Sequence, residues 1–227
     1  MAEPVDAVLF DLDDTLCAYR RSTEELLAAS FDAAGVDPLF PPSAYYQRFA
    51  EFLGDHDSMG AFRAACFADA ATAHGSDPET AREVAAEFEA RRDQTAVDPL
   101  PGARKAVRAL ADEYALGLVT NGPPDAQTTK LDALGLADAF GTTVFAGFDT
   151  PVKPAPEPFE AALADLGVDA DRAVMVGNSP TSDVAGARAA GLRAAWLRED
   201  GRSPDEPPAY VLESMAELVE PPWAGGG

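Results

Sequence analysis

Short apolar runs that stop at polar clusters constrain this chain more than any other feature of its sequence. Residues 5–10 form such a run, which ends at Asp11, Asp13 and Asp14. Three later runs behave in the same way: 116–119 precedes Thr120-Asn121-Gly122, 143–145 leads toward Lys153, and 173–176 precedes Gly177-Asn178-Ser179. An apolar run of this length that stops at a polar edge is typical of a buried parallel strand.

Helical patterns separate these runs, at residues 103–112, 125–134, 156–166 and 181–190, and two further strands are predicted at 193–197 and 210–212. Alternating strands and helices predict an α/β fold, with a Rossmann-like parallel sheet and helices on both of its faces. Such sheets bind ligands at the carboxyl ends of their strands. We therefore expect the polar clusters to meet at one edge.

Residues 17–96 interrupt this alternation. They contain no convincing strand, but helical patterns occur at 22–34, 42–53, 58–74 and 78–92. We predict an all-α helical cap domain at 17–96, inserted into a discontinuous core domain formed by 1–16 and 97–220. Residues 99–102, Pro-Leu-Pro-Gly, are predicted to return the chain to the sheet. The tail, 221–227, is predicted to be disordered.

The charge balance narrows the range of partners. The chain carries 39 acidic and 17 basic residues, a formal net charge of -22. Nucleic-acid binding needs a basic surface, and no run of Lys or Arg is longer than a pair, so a nucleic-acid partner is not expected. A dense acidic surface suits a salt-rich, halophilic cytosol, where the Debye length shrinks to about 3 Å near 1 M salt and self-repulsion is relieved.

Two cysteines, Cys17 and Cys66, are too few for a disulfide scaffold, and the first residues do not resemble a signal sequence. We expect a cytoplasmic protein. The apolar runs are far shorter than the roughly 20 residues of a membrane-spanning helix, so no membrane role is expected. The sequence leaves open whether the chain is a monomer or a homodimer.

Asp11 and Asp13 form the first candidate catalytic pair. They stand two residues apart at the end of the first predicted strand. One carboxylate can attack phosphorus while the other exchanges a proton. An acidic turn on an acidic protein would have the same appearance, so this pair does not decide the function by itself.

The order and spacing of the polar clusters resemble the haloacid dehalogenase-like hydrolase superfamily. Its four motifs are matched by Asp11-Leu12-Asp13-Asp14-Thr15, Thr120-Asn121-Gly122, Lys153-Pro154 and the segment from Gly177 to Asp183. The match spans most of the chain outside 17–96, and the insertion is similar to the cap of one branch of that superfamily. Residues around the second motif, Gln127, Lys130-Leu131 and Gly135-Leu136, resemble a branch of small-metabolite phosphatases.

This resemblance implies a two-step phosphatase acting on a small phosphorylated metabolite such as a sugar phosphate, a nucleotide or phosphoglycolate. Asp11 would be the nucleophile and form an aspartyl-phosphate, and Asp13 would be the general acid and base. Thr120 and Lys153 would be catalytic and, with Asn121, would bind the phosphoryl group. The resemblance also implies Mg²⁺ as cofactor and, more weakly, a cis peptide bond between Lys153 and Pro154.

The predicted metal ligands are Asp11, the backbone carbonyl of Asp13, Asn178 and Asp183. The family usually has an acidic ligand where this chain has Asn178. An amide oxygen can bind Mg²⁺ but brings no charge, so weaker metal binding is expected. Asp183 is the predicted charged contributor, either as a direct ligand or through a water molecule.

Alternative functions remain open from the sequence. A phosphosugar mutase of the same superfamily would use its cap to hold a bisphosphate and exclude water, and a catalytically silent binding protein could retain the fold. A haloacid dehalogenase is disfavoured by Asp13, because a departing halide needs no proton. A receiver-like signalling module also combines an aspartate with Thr and Lys, but it would be about half as long and would lack the insertion.

Overall fold

A computed structural model describes residues 4–52, 59–199 and 201–224 of the chain. The chain divides into two compact units. One, called here the α/β unit, comprises Met1–Ala18 and Val97–Gly227, and the other, the helical unit, is Tyr19–Ala96. Across the described ranges, no helix has both the length and the apolar character needed to cross a membrane.

The strands are β1 Ala7–Phe10, β2 Cys17–Tyr19, β3 Val97–Pro99, β4 Ala115–Thr120, β5 Thr142–Phe145, β6 Ala173–Gly177, β7 Arg193–Leu197 and β8 Tyr210–Leu212. The helices are α1 Thr23–Ala34, α2 Pro42–Phe52, α3 Met59–Ala73, α4 Pro78–Arg91, α5 Ala103–Ala111, α6 Pro124–Leu134, α7 Glu157–Leu166 and α8 Ala185–Ala189. Six strands form one sheet in the order β5-β4-β1-β6-β7-β8, with every pairing parallel. The predicted Rossmann-like α/β fold is confirmed.

β1 lies inside this sheet, between β4 and β6, and all four of its residues are apolar. Each is completely buried. Ala7 and Leu9 belong to a core cluster that includes Phe159 of α7. Phe10 is paired with Leu118 of β4 and Val176 of β6. The chain therefore leaves β1 at Asp11 with strands on either side of it.

The helical unit is built around aromatic packing. Its first helix begins with a capping box, in which the Ser22 hydroxyl accepts from the Glu25 amide and the Glu25 carboxylate accepts from the Ser22 amide. Phe67 packs edge-to-face against Phe40, Tyr45 and Phe88 with ring centroids 5.2, 5.0 and 5.5 Å apart. Buried aromatic side chains at these spacings stabilise a core beyond the area that they remove from water.

Some local features differ from the sequence expectations. β2, at the start of 17–96, pairs with β3 in a two-stranded sheet, so the expectation of no strand within 17–96 is wrong; three-residue strands are too short to show periodicity. The predicted helix over 181–190 begins as a π-helical turn, Pro180–Val184, before α8. In the predicted tail, Trp223 packs against Tyr210 with centroids 5.3 Å apart. The predicted helices over 42–53 and 58–74 run into 53–58, which, like 225–227, lie outside the described residues.

Candidate active site

The carboxyl ends of adjacent strands bring the predicted site residues together. Asp11 follows β1, Thr120 ends β4 and Asn178 follows β6, and the sheet order places β1 between the other two. Lys153 lies in the loop between β5 and α7. The main chain holds this arrangement at Asp11, whose amide donates to the Val176 carbonyl at 3.0 Å. The edge predicted from the strand pattern is thus where the polar side chains lie, as expected for a parallel α/β sheet.

Asp11 is a buried carboxylate with a perturbed pKa. Its side chain accepts a hydrogen bond at Oδ1 from Lys153 Nζ at 2.8 Å. Burial raises the pKa of Asp11 to about 7; Lys153 opposes this rise, whereas the nearby Asp183 adds to it. A single lysine therefore does not fully compensate for the burial of two carboxylates.

Lys153 is 3% exposed and makes three hydrogen bonds through its ammonium group. Nζ donates to Asp11 Oδ1 at 2.8 Å, to Asp183 Oδ1 at 2.7 Å and to the Val119 carbonyl at 2.8 Å. Burial alone would lower the pKa of Lys153, but the two carboxylates raise it above its ordinary value. The side chain is therefore held as a cation beside Asp11.

Asn121 fixes the main chain at Lys153. Asn121 Oδ1 accepts from the Lys153 amide at 2.8 Å, and Asn121 Nδ2 donates to the Lys153 carbonyl at 3.2 Å. The Lys153–Pro154 peptide bond is cis, so that expectation is confirmed. Asn121, predicted to bind substrate, thus has both ends of its amide engaged with the loop that carries Lys153.

Asp183 orients Lys153 from the opposite side. It is 1% exposed, with Oδ1 accepting from Lys153 Nζ and Oδ2 accepting from the Ser179 amide at 3.0 Å. Gly177 makes room for this carboxylate, because a Cβ at that position would lie 2.3 Å from Asp183 Oδ2. Both oxygens of Asp183 therefore accept hydrogen bonds from the protein itself.

Asp13 lies in a different environment from Asp11. Its side chain is 41% exposed and accepts from Lys130 Nζ at 2.6 Å and from Gln127 Nε2 at 2.9 Å. Gln127 Nε2 also donates to Thr120 Oγ1 at 2.6 Å. The two candidate carboxylates thus have separate lysines, and Gln127 links Asp13 to Thr120.

The Asn178 side chain is held between two neighbours. Asn178 Oδ1 accepts from the Thr15 hydroxyl at 3.2 Å, and Asn178 Nδ2 donates to Glu199 Oε2 at 3.2 Å. The Asn178 amide in turn donates to Thr15 Oγ1 at 3.1 Å, and its carbonyl accepts from Trp196 Nε1 at 2.9 Å. These bonds orient the amide oxygen of Asn178, which keeps a second lone pair for another partner.

The donor set at this edge suits a hard cation. Among the described residues, no three His, Cys, Asp or Glu side chains form a cluster that could hold a metal ion. Asp11 offers a carboxylate and Asn178 an amide oxygen, and oxygen donors are those that Mg²⁺ prefers while it retains several waters. The residues present therefore fit a magnesium ion held by few protein ligands.

Gln127 and Lys130 lie in the site, but the sequence pattern predicted no role for either. The scarcity of lysine was a usable signal, because the chain has only Lys105, Lys130 and Lys153. Two of these three are buried, and each binds one of the two candidate carboxylates. The spacing of Gln127 and Lys130, three residues apart on α6, was a second signal, since it places them on one helix face.

Comparison with known proteins agrees with the fold. Residues 5–191 match the family described as haloacid dehalogenase-like hydrolase. The chain is 34% identical to a phosphoserine phosphatase of Thermus thermophilus, over 94% of this chain and 96% of that protein. It is 36% identical to a phosphoglycolate phosphatase of Rhodospirillum rubrum, over 82% and 76% respectively. The fold also resembles the magnesium-bound HAD-hydrolase YfnB of Bacillus subtilis, with a TM-score of 0.76, 20% identity and coverage of 96% and 98%. On this evidence, the chain belongs to the haloacid dehalogenase-like hydrolases.

Proposed function

We propose that this phosphomonoester hydrolase acts on a small phosphorylated metabolite through a phosphorylated Asp11, with Mg²⁺ as cofactor. The observation that carries the proposal is the contrast between two carboxylates two residues apart. Asp11 is buried against Lys153, and Asp13 is half-exposed beside Lys130. Different environments for a pair of carboxylates are the usual sign that they have different roles.

The first step forms the intermediate. An oxygen of Asp11 attacks phosphorus, and the bond from phosphorus to the leaving oxygen breaks. Asp13 gives a proton to that oxygen, so that an alcohol departs. Lys153 and the Thr120 hydroxyl stabilise the charge that develops on the phosphoryl oxygens.

The second step regenerates the enzyme. Asp13 takes a proton from a water molecule, whose oxygen attacks phosphorus and releases Asp11 and inorganic phosphate. Splitting one hydrolysis into two displacements lowers the barrier of each. Asn121 contributes by holding the loop that carries Lys153.

Asp11, the backbone carbonyl of Asp13 and Asn178 would hold Mg²⁺. When bound, the ion supplies positive charge close to the phosphoryl oxygens. The role of Asp183 as a direct or water-mediated ligand stays a prediction, and its hydrogen bonds to Lys153 and Ser179 favour a role in orienting Lys153.

The metal assignment can be tested through binding alone. Asn178→Asp adds a negative charge at the proposed ligand. It also replaces Nδ2, which donates to Glu199, with an oxygen that cannot donate. We expect a lower thermal midpoint without Mg²⁺, a larger rise on its addition, and tighter Mg²⁺ binding by calorimetry. Thr181→Asp adds the same charge at an exposed position and serves as the control. Unchanged Mg²⁺ affinity in Asn178→Asp would remove Asn178 from the ligand set.

The names of the relatives support a small phosphomonoester as the substrate. The two named above act, by their names, on phosphoserine and phosphoglycolate, which are small phosphomonoesters. A panel of phosphorylated metabolites that includes these two, sugar phosphates and nucleotides would rank the candidates. We further propose that 17–96 acts as the cap that selects among them.

The acidic composition completes the proposal. A net charge of -22 repels itself at low ionic strength, so we place the enzyme in a salt-rich cytoplasm. The thermal midpoint should rise between low and multimolar KCl. A flat or falling midpoint would contradict adaptation to salt without affecting the assignment of the site.

Hydrolysis of p-nitrophenyl phosphate tests the activity itself. The wild type should release p-nitrophenol with MgCl₂ and lose this activity with a chelator, and Asp11→Asn should be inactive under both conditions. Asp6→Asn is a suitable control, because Asp6 lies just before β1 but is half-exposed and paired with Arg172. Activity of Asp11→Asn at the wild-type level would overturn the proposal, and an inactive wild type in molar KCl would favour a silent binding protein.

A further inference from the structure

Helix α6 reaches the site through two side chains that the mechanism above does not use. Lys130 Nζ donates to Asp13 Oδ1 at 2.6 Å, and Gln127 Nε2 donates to Asp13 Oδ2 at 2.9 Å. Each oxygen of the Asp13 carboxylate therefore has its own donor on α6. Two donors on a regular helix fix the plane of a carboxylate, whereas one donor would let it rotate.

Gln127 also sets the direction of the Thr120 hydroxyl. Its side-chain nitrogen carries two hydrogens, one facing Asp13 and the other facing Thr120 Oγ1 at 2.6 Å. Thr120 Oγ1 accepts a second bond from the Gly122 amide at 3.2 Å. With both acceptor positions of the hydroxyl taken, its own hydrogen is left to be donated to a phosphoryl oxygen.

Gly122 makes this arrangement possible. A Cβ at residue 122 would lie 2.2 Å from Gln127 Nε2, closer than atoms can approach. The glycine after Thr120 and Asn121 therefore leaves the space that Gln127 occupies. If Gln127 only filled space, its side-chain amide would not need to lie between Asp13 and Thr120.

Burial distinguishes the contacts of Lys130 and Gln127 with Asp13 from an ordinary surface ion pair. The Lys130 side chain is 4% exposed and Gln127 is completely buried, whereas Asp13 is 41% exposed and remains accessible to water. Water could solvate Asp13 without help, so the fold does not need these donors to accommodate its charge. Burying a lysine carries an unfavourable free energy of desolvation. Two of the three lysines are buried, and both lie beside the candidate carboxylates.

We propose that Lys130 and Gln127 are positioning residues that hold Asp13 for its proton transfers, and that Gln127 also holds Thr120 as a donor. Lys130 contributes by its contact with Asp13 and exchanges no proton with the substrate. Asp13, half-exposed, takes up a proton from solvent, gives it to the leaving oxygen and later takes one from water. This inference rests on the proposed function, since it assigns a role within the same reaction.

Two substrates with different leaving groups test the inference. An alkyl phosphate such as glycerol phosphate leaves as a strong base and needs the proton from Asp13, whereas p-nitrophenolate leaves without one. The value of kcat/KM reports the steps up to phosphorylation of Asp11, in which this proton moves. In Lys130→Met, kcat/KM for the alkyl phosphate should fall by about 10²-fold, the usual penalty for a misplaced catalytic group, and clearly less for p-nitrophenyl phosphate.

Lys105→Met is the matched control, because Lys105 is exposed on α5, and it should leave both substrates unaffected. Equal losses on the two substrates in Lys130→Met, or no loss, would overturn the proposal. Gln127→Met provides a second, independent variant and should show the same discrimination between substrates. If thermal unfolding shows that Lys130→Met does not fold, the result for Gln127→Met decides.

A double-mutant cycle tests whether Lys130 acts through Asp13. In an Asp13→Asn background, Lys130→Met should cause little further loss on the alkyl phosphate, because the group that it positions is already gone. A full additional loss would show an independent role and overturn the proposal. If Asp11→Asn is inactive and Lys130→Met is unaffected, only this inference is refuted. If Asp11→Asn is active, the proposed function is refuted.

Discussion

The two units of this protein treat buried polar side chains in different ways. In the described part of the helical unit, the buried polar residues are Ser30 and Arg63, and each has a partner within the same unit. Ser30 Oγ donates to the Leu26 carbonyl of its own helix at 2.7 Å, and Arg63 pairs with Glu89 and lies 5.5 Å from the ring centre of Phe88. These contacts pair the Ser30 hydroxyl and the Arg63 guanidinium within the helical unit.

The α/β unit instead gathers its buried polar side chains from distant segments. They are Asp11, Thr15, Thr120, Gln127, Lys130, Lys153, Asn178 and Asp183. Several bonds among them join residues far apart in sequence, such as Thr15 with Asn178 and Asp11 with Lys153. Burying charge is costly unless it is paired, so a connected network of charged and polar groups at one sheet edge indicates chemistry, whereas the separate pairs of the helical unit indicate packing.

The largest effect that would test this contrast is expected at Lys153. Lys153→Met removes the cation beside Asp11 and Asp183 and leaves two buried carboxylates without it. We expect kcat/KM for p-nitrophenyl phosphate to fall by about 10³-fold and the free energy of unfolding to fall by about 3–5 kcal/mol. Enzyme assays and urea unfolding measure the two. Lys105→Met is the control, and wild-type activity in Lys153→Met would mean that the network does not serve the reaction.

In the helical unit, the largest expected effect is on stability. Phe67→Ala empties the centre of the aromatic cluster and should lower the free energy of unfolding by about 3–5 kcal/mol. Below its unfolding midpoint, the variant should still turn over p-nitrophenyl phosphate. Phe148→Ala is the control, because this phenylalanine is 45% exposed. Loss of turnover while the variant remains folded would break the division between packing and chemistry.

Two glycines give the smallest and most selective test. Gly177→Ala places a Cβ 2.3 Å from Asp183 Oδ2 and should lower the free energy of unfolding by about 1–3 kcal/mol, with loss of activity. Gly60→Ala lies in α3 of the helical unit, where the added Cβ meets nothing within 4 Å, and should raise it by about 0.4–1 kcal/mol. Thermal unfolding of both variants measures these changes. If both substitutions changed the free energy of unfolding in the same direction, the contrast between the two units would be contradicted.

The sequence predicted the part of the site that depends on strand ends. Asp11, Thr120 and Asn178 each follow or end an apolar run, and parallel pairing brings such positions to one edge without further information. The position of Lys153 beside Asp11 followed from the resemblance to a known motif. Asp11, Thr120 and Asn178 could be found from the pattern because the course of the main chain alone determines where they lie.

The remainder depends on side chains reaching across the site. The helix over Gln127 and Lys130 was predicted, but its rotation relative to the sheet was not, so the contacts with Asp13 could not be derived. Asp183 was expected near a metal, and its bonds to Lys153 and Ser179 arise from the π-helical turn that begins at Pro180. Such contacts are set by packing between elements, which a single sequence does not display.

In the proposed mechanism, Asp11 carries the phosphoryl group during turnover. The direct measurement is mass spectrometry of peptides from enzyme quenched in acid during hydrolysis of p-nitrophenyl phosphate. The Asp13→Asn variant is used to slow the second step, because the leaving p-nitrophenolate needs no proton from Asp13 in the first. We predict a phosphoryl group on the peptide that contains Asp11, and none when Asp11→Asn is added. A phosphoryl group on another peptide, or one that persists after Asp11→Asn, would contradict this mechanism.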